Sequence, residues 1–413
     1  MDVISFNKQQ QLRYQARTGI LVDIQNIGKN TQLLAQKVST FLEKIRPGVW
    51  LRTDAITFPD GNFTNVYDIF WQPYQRGIVP FIHSSDTPYY LLDQMKQDKS
   101  LIAAINGAFF FLTDIAHRYP KELPYNFCVR EGKLIGLPSS DQPTLYMQAG
   151  VLKTREVKAK GIIKINTQRL SWTGAQTKAA KRASVVLYNS KCCDVVKYRD
   201  PKTNIQVGEL DNVHIYTRAG KQYTDIVVNT NRKGQLIVSA VRKGGHTHYF
   251  AGVFVLQCKG NVSRIKKGDV VEPLTLDGID LQTVSSGMTI GRRVDDPYFL
   301  DPSRIHRRDA RSIIAQDVKG NYHFMIFDGS KYIPGFNGVS AKDIRPIFAK
   351  DKFKWAYFLD GGGSSRIIVR DRGQLRCLAN EFVFQKLKNG KFVWDWEKGR
   401  IVASSIALRV IEQ

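Results

Sequence analysis

The stretch YFLDGGGSSRIIV, Tyr357 to Val369, sets one carboxylate, Asp360, and three consecutive glycines between two apolar runs that read as buried strand. Glycine costs backbone entropy on folding, so a triplet marks a place where the chain turns through positive φ or where something approaches closely. Asp360 follows the apolar run Trp355 to Leu359, which puts its carboxylate where a strand emerges. The amides from Gly361 through Gly362, Gly363 and Ser364 to Ser365 can then turn toward one point, an arrangement that binds anions. A phosphate-binding P-loop is excluded, because it needs GxxxxGK, then Ser or Thr, then a helix, whereas here Arg366 leads into another strand. A glycine bulge in a sheet would use the same residues with no ligand at all.

A second interruption has the same form. The run Ala103-Ala104-Ile105 leads into Asn106-Gly107-Ala108-Phe109-Phe110, again a polar residue and a glycine at the end of an apolar strand. A third feature is RIHRRDARSIIAQDVKGNYHFMIFDGS, in which Arg311 opens a strand, Lys319-Gly320-Asn321 makes a turn, and the return strand ends at Asp328-Gly329. Arg304, Arg307 and Arg308 read as a solvated face. Together these features predict one pocket built from strand ends.

Around this site the chain has 413 residues, room for one large domain or two to three ordinary ones, with no low-complexity tract and no solenoid period. The spacing of Leu34, Val38, Phe41, Leu42 and Ile45 predicts an amphipathic helix over 31–45, stopped by Arg46-Pro47-Gly48. Beyond Gly48, short runs of Val, Ile, Tyr and Phe alternate with Gly, Asp and Asn as strands and turns do. TPYYLLDQMKQDK and SAKDIRPIFAKD are candidate helices, each leading into a buried strand that ends at a polar loop. The expected fold is therefore α/β (α+β): a mixed twisted sheet flanked by helices, with sites at strand ends. The expected organisation is an N-terminal helical extension over 1–46 and a main domain over 47–413, within which 151–280 forms a Lys-rich, β-rich subdomain.

Composition narrows the setting. The N-terminus lacks a secretory signal and the longest apolar window, LIAAINGAFFFL, is too short to span a bilayer, which predicts a cytoplasmic protein without a transmembrane segment. Cys128, Cys192, Cys193, Cys258 and Cys377 are scattered, with no CxxC, and read as reduced thiols. Sixty-one Lys plus Arg against 37 Asp plus Glu leave a formal charge of +24, which favours an anionic partner, be it nucleic acid or another polyanion, an anionic membrane or a phosphorylated substrate. An evenly spread solubility charge has the same composition. His246-Thr247-His248 lacks a third ligand at compatible spacing, and no metal site is predicted. Asp295, Asp296 and Asp301 beside Arg292-Arg293 read as a loop salt-bridge cluster. Trp394 and Trp396 alternate as residues covering one sheet face do.

Taken in order, the motifs resemble those of the phosphodiester glycosidases related to the mannose 6-phosphate uncovering enzyme. Asn106 to Phe110 is similar to that family's Asn-Gly-Gly-Phe-Phe segment, with Ala108 at the second glycine. Arg311-Ser312-Ile313-Ile314-Ala315 and Asp328-Gly329-Ser330 resemble its arginine strand and Asp-Gly-Arg turn, and Leu359 to Ser365 reproduces Leu-Asp-Gly-Gly-Gly-Ser-Ser. Ser286 to Thr289, Gly335 to Ile344 and Arg400 to Leu408 are weaker echoes, and the resemblance runs from about Pro47 to near the C-terminus. Ser312 stands where the family has threonine, Ser330 where it has arginine, and Arg366 where it has threonine.

The resemblance implies hydrolysis of a sugar-1-phosphodiester between the anomeric carbon and the phosphate oxygen. It implies Asp360 as the group that attacks or activates water, Asp328 as second carboxylate, Arg311 as a forked phosphate contact and Asn106 as positioner. Gly107, Ser312, Gly361, Gly362, Gly363, Ser364 and Ser365 would line the substrate. No cofactor is implied, and dependence on a divalent cation is left open. The rival expectation is a non-catalytic polyanion-binding protein on the same fold.

Overall fold

In the computed structural model, the two apolar runs of the opening stretch are strands of two different sheets. Phe353–Phe358 is the edge of a six-stranded sheet and Ile367–Asp371 lies inside a five-stranded one. The structure describes residues 36–73, 77–108, 127–189, 195–199, 206–210, 216–249, 252–260, 262–296, 308–329, 335–379, 384–386, 392–394 and 401–411. The chain divides into two compact units, one of residues 1–81, 88–109 and 291–413 and one of residues 82–87 and 110–290.

The first unit holds the six-stranded sheet, ordered Gln36–Arg46, Val49–Thr57, Phe63–Trp71, Tyr322–Phe327, Arg311–Asp317, Phe353–Phe358, with every neighbouring pair antiparallel. Its five-stranded sheet is ordered Gln374–Cys377, Ile367–Asp371, Leu101–Asn106, Ile401–Val410, Ile78–Tyr90. Leu101–Asn106 is antiparallel to both of its neighbours. All six residues of Leu101–Asn106 and all six of Tyr322–Phe327 are buried, so both faces of each strand are covered. Val66, Ile313, Met325, Phe327 and Phe358 form a core on one face of the first sheet. On the second, Leu91, Leu92 and Met95 pack against Leu101, Ala104, Ile368 and Ala407. Burying each of the Val, Leu, Ile, Met and Phe side chains among these stabilises the unit by about 1.5–3 kcal/mol.

The second unit has an eight-stranded sheet and a five-stranded one. A single cluster joins them, with Phe127, Val129 and Tyr146 from the five-stranded side and Trp172, Leu187, Phe254 and Leu256 from the other. The pair Gln168–Gly174 and Val185–Tyr188 is parallel, against an otherwise antiparallel pattern.

Two expectations are corrected here. The fold is built of antiparallel sheets and is not an α/β core flanked by helices. Among the described residues the only α-helices are Leu91–Gln97 and Ala341–Ile344, each inside a segment expected to be helical but shorter. The helix expected over 31–45 is also corrected over its described part: Gln36–Arg46 is a strand that pairs with Val49–Thr57, and Pro47-Gly48 is the turn between them, with Gly48 at φ +76°. Phe41 and Leu42, expected to share an apolar stripe, are 59% and 54% exposed, while Ile45 is buried. Backbone pairing along a sheet edge has overridden a helical period that too few buried residues supported. No helix among the described residues is long and apolar enough to cross a membrane.

Candidate active site

The four strand ends singled out in the sequence lie at corresponding ends of the two sheets of the first unit. Antiparallel pairing sets Arg311 opposite Phe327, so the start of the arginine strand lies beside the end of the strand that delivers Asp328. The Leu359 amide donates to the Ser312 carbonyl at 2.8 Å, which continues the ladder to the brink of Asp360. In the other sheet, Ile367 pairs with Ile105, placing Arg366 beside Asn106. Residues 359–366 therefore cross from one sheet to the other.

Asn106 ties this crossing. Its Nδ2 donates to the Asp360 carbonyl at 2.7 Å, and its Oδ1 accepts from Ser312 Oγ at 2.8 Å and from the Arg366 amide at 3.1 Å. Asn106 and Ser312 are both fully buried, so each of these bonds forms away from water and each would be costly to lose. The Asp360 amide in turn donates to the Gly107 carbonyl at 2.9 Å. The backbone of Asp360 is thus held on both its donor and acceptor sides, while its side chain stays half-buried.

The glycines have distinct tasks. Gly362 has φ +61°, a conformation that side chains resist, and opens the short 3-10 turn Gly362–Ser364. Gly107 lies so close to the last strand that a Cβ would fall 2.8 Å from the Ser404 carbonyl carbon. Gly361 lies beside Arg311, since a Cβ built on it would be 3.6 Å from Arg311 Nη1. The Arg311 guanidinium sits over the Phe358 ring, 6.0 Å from its centroid, and remains half-buried. Gly363 is also half-buried, whereas Ser364 and Ser365 are buried and their hydroxyls have no hydrogen-bond partner among the described residues.

Asp328 differs from Asp360 in its surroundings. It is fully buried, its amide donates to the Asn65 carbonyl at 2.8 Å, and its carbonyl accepts from Thr64 Oγ1 at 2.7 Å. Its Oδ1 accepts from the Gly329 amide at 2.8 Å, so one carboxylate oxygen shapes the turn that follows. Gly329 packs directly on Gly338, which in turn lies against the Asp309 carbonyl just ahead of Arg311.

Sequence reasoning missed Thr64 and Asn65, which hold Asp328, and Ser404, whose carbonyl accepts from the Gly107 amide at 2.8 Å and whose Oγ accepts from the Ala108 amide at 2.9 Å. Their signal is a small polar residue inside an apolar strand, as in Ala403-Ser404-Ser405-Ile406. The solvated-face reading of Arg308 is corrected: its guanidinium bonds Asp60 at 2.8 Å and Asp343 at 3.2 Å and lies over Phe58. Arg304, Arg307, Asp301, Phe109, Phe110, Ser330 and Trp396 lie outside the described residues, as does the side chain of Trp394. Arg292 pairs with Asp296 at 3.2 Å and Arg293 with Asp295 at 2.8 Å, the salt bridges expected there. Among the described residues no group of three or more His, Cys, Asp or Glu is placed to hold a metal ion.

Residues 211–393 match the model of a family described as phosphodiester glycosidase. That stretch takes in Arg311, Ser312, Asp328 and Leu359 to Arg366, and it bears out the resemblance carried by the motifs. None of the curated proteins compared with the chain matches it. Among solved structures the chain is similar to a hypothetical protein from Synechocystis, with TM-score 0.55 and 15% identity, covering 90% of this chain and 64% of that one. The chain thus spans a little under two thirds of that protein's length, and the likeness is one of fold. Also similar are a putative exported protein from Burkholderia pseudomallei (TM-score 0.49, 14% identity, 84% and 74% covered) and a zebrafish enzyme domain. The latter is the catalytic domain of N-acetylglucosamine-1-phosphodiester alpha-N-acetylglucosaminidase auto-inhibited by pro-peptide (TM-score 0.37, 9% identity, 92% and 89% covered).

Proposed function

We propose that the chain hydrolyses the glycosidic bond of a sugar-1-phosphodiester, releasing a free sugar and a phosphomonoester. The observation that carries this reading is the setting of Asp360: backbone fixed by Asn106 and Gly107, side chain half-buried, in a loop whose next residue lies against Arg311. A carboxylate on a backbone-fixed turn, with a guanidinium beside that turn, suits a substrate with an electrophilic carbon bonded to an anionic leaving group. The family match over 211–393 supports the same class of reaction.

In this reading Arg311 holds the phosphate through its fork of N–H donors. The electron pair of the C1–O bond passes to the phosphate oxygen as the phosphomonoester leaves. Because that oxygen is a good leaving group, acid help matters less than in ordinary glycosidases, and stabilising the developing charge matters more. Asp360 either attacks C1 or takes a proton from a water that does, and the anomer first released distinguishes the two. Asp328, buried and bonded to Gly329, serves as the second carboxylate by shaping the pocket wall.

The test is release of reducing sugar from a panel of α-glycosyl phosphodiesters. The parent protein should turn over at least one of them, and Asp360→Asn should lower the rate about 100-fold or more with an unchanged melt. A folded parent inert across the panel, or an Asp360→Asn variant as active as the parent, overturns the reading.

A further inference from the structure

Between Tyr216 and Gly260 the second unit concentrates charge of one sign. The stretch has seven Lys and Arg against a single acidic residue, Asp225. Asp225 is fully buried, its carboxylate taken by Thr217 Oγ1 and, at 2.9 Å, by Gln257 Nε2, so it offsets little of that charge at the surface. The strands Leu236–Gly245, Ala219–Thr230 and Phe254–Lys259 lie side by side at one edge of the eight-stranded sheet. Their register sets Tyr223 opposite Lys259 and Asp225 opposite Arg242. Opposed residues on antiparallel strands share a face, as do alternate residues on one strand, so Tyr223, Lys259 and Arg242 stand together.

Arg218 joins them. Hydrogen bonds from Gln222 and Arg218, with the charges of Arg218 and Lys259, hold the half-buried Tyr223 phenol below its ordinary pKa. Among the described residues Arg218, Arg242 and Lys259 make no ion pair. Beside them stands an exposed ring. Tyr216 is 39% exposed, with the His246 ring 4.5 Å away and the His248 ring edge-on at 5.2 Å. The backbone beneath is fixed, since the Thr217 amide donates to the Thr247 carbonyl at 2.9 Å and the Thr247 amide to Thr217 Oγ1 at 2.8 Å.

We propose that this surface binds single-stranded nucleic acid, with phosphates on Arg218, Arg242 and Lys259 and an unpaired base stacked on Tyr216. Unneutralised cations attract any polyanion, but an exposed, rigidly mounted ring beside them gains from a ligand that also presents flat faces. A duplex hides its bases from such a ring, which selects the single strand. The inference is independent of the hydrolase reading, whose residues all lie in the other unit.

The experiment is fluorescence anisotropy of a labelled oligothymidylate of about 15 nucleotides, titrated with the full chain over a range of salt. The parent should bind, with affinity falling as salt rises by a slope of about 0.7 per phosphate neutralised. The triple variant R218A/R242A/K259A should lose about tenfold or more in affinity and most of the slope. Tyr216→Ala should lose about fivefold or more with the slope kept, and Tyr216→Phe should bind as the parent does. A control, R264A/K266A/K267A, removes three exposed cations around Ile265, which packs with Ile226, Val228 and Val238 on the opposite face of the sheet, and should leave binding intact. Failure of the parent to bind overturns the proposal. So does a control that weakens binding as much as the patch variant, which would assign it to net charge. Inorganic polyphosphate bound as tightly as the oligonucleotide, with Tyr216→Ala harmless, would likewise overturn it and mark a plain polyanion surface.

Discussion

The side-chain amide of Asn106 donates to the backbone carbonyl of Asp360 at 2.7 Å across 254 positions of sequence. The oxygen of that amide group accepts from Ser312 and Arg366, so one buried side chain fixes an inner strand of one sheet, a loop and the start of a strand of the other. Asn106 therefore acts on the proposed chemistry through Asp360. Asn106→Ala strips three buried groups of their partner, each worth about 1–3 kcal/mol, and should lower stability by roughly 3–5 kcal/mol. Denaturant unfolding measures this, and a loss below about 1 kcal/mol would show that the crossing is held by other contacts.

Arg311→Lys tests the proposed phosphate contact. It keeps the charge beside Gly361 but removes the planar fork. Turnover of a glycosyl phosphodiester should fall about tenfold or more, while the melt shifts little because Arg311 is only half-buried. Undiminished turnover would mean that Arg311 contributes charge alone.

His323 links stability to pH. Burial works against its charged form, but the charge of Asp68 and its hydrogen bond, 3.0 Å from Nδ1, outweigh burial, with Asp317 adding to them, so its pKa is raised above 6.5. A raised folded-state pKa means that the stabilisation is fully present below the unfolded value and is lost as pH rises through the folded one. His323→Gln should therefore cost more stability at about pH 5.5 than at about pH 8.5, read from paired denaturation curves. An equal cost at both would show that the ring acts by packing against Phe70 and Phe353 alone.

Deleting residues 1–46 removes the edge strand Gln36–Arg46 and the bidentate contact of Glu43 with Arg376 at 2.8 and 2.9 Å. It also bares the hydrogen-bonding edge of Val49–Thr57, a template for pairing with other chains. The truncated chain should melt lower and scatter light at concentrations where the parent stays clear. A melt identical to the parent's would show that the strand adds nothing to the core.

The opening stretch was legible because a glycine triplet between apolar runs has few structural uses, and Asp360, Asn106 and Arg311 could be named from strand ends alone. Sheet type was not legible. Leu101–Asn106 and Tyr322–Phe327 are continuous apolar runs of the kind parallel strands show, but here antiparallel neighbours surround them and both faces are covered. The helical period over 31–45 misled for a related reason: Phe41 and Leu42 are apolar yet exposed on an edge strand, and periodicity cannot tell an exposed apolar residue from a buried one. Thr64 and Ser404 stayed hidden because their roles depend on partners 264 and 297 residues away, here Asp328 and Gly107.

That distance sets an order of events during synthesis. Leu101–Asn106 leaves the ribosome long before the strands that flank it, Ile367–Asp371 and Ile401–Val410, have been made. At about 5–20 residues per second, nearly 300 residues separate Asn106 from Ser404 by roughly 15–60 s. Through most of that interval a six-residue segment destined for complete burial has neither neighbour, and is open to chaperones and to other nascent chains alike. The proposed centre is therefore assembled only once the chain has been made as far as Ser404 and Ser405, however early Asn106 emerged.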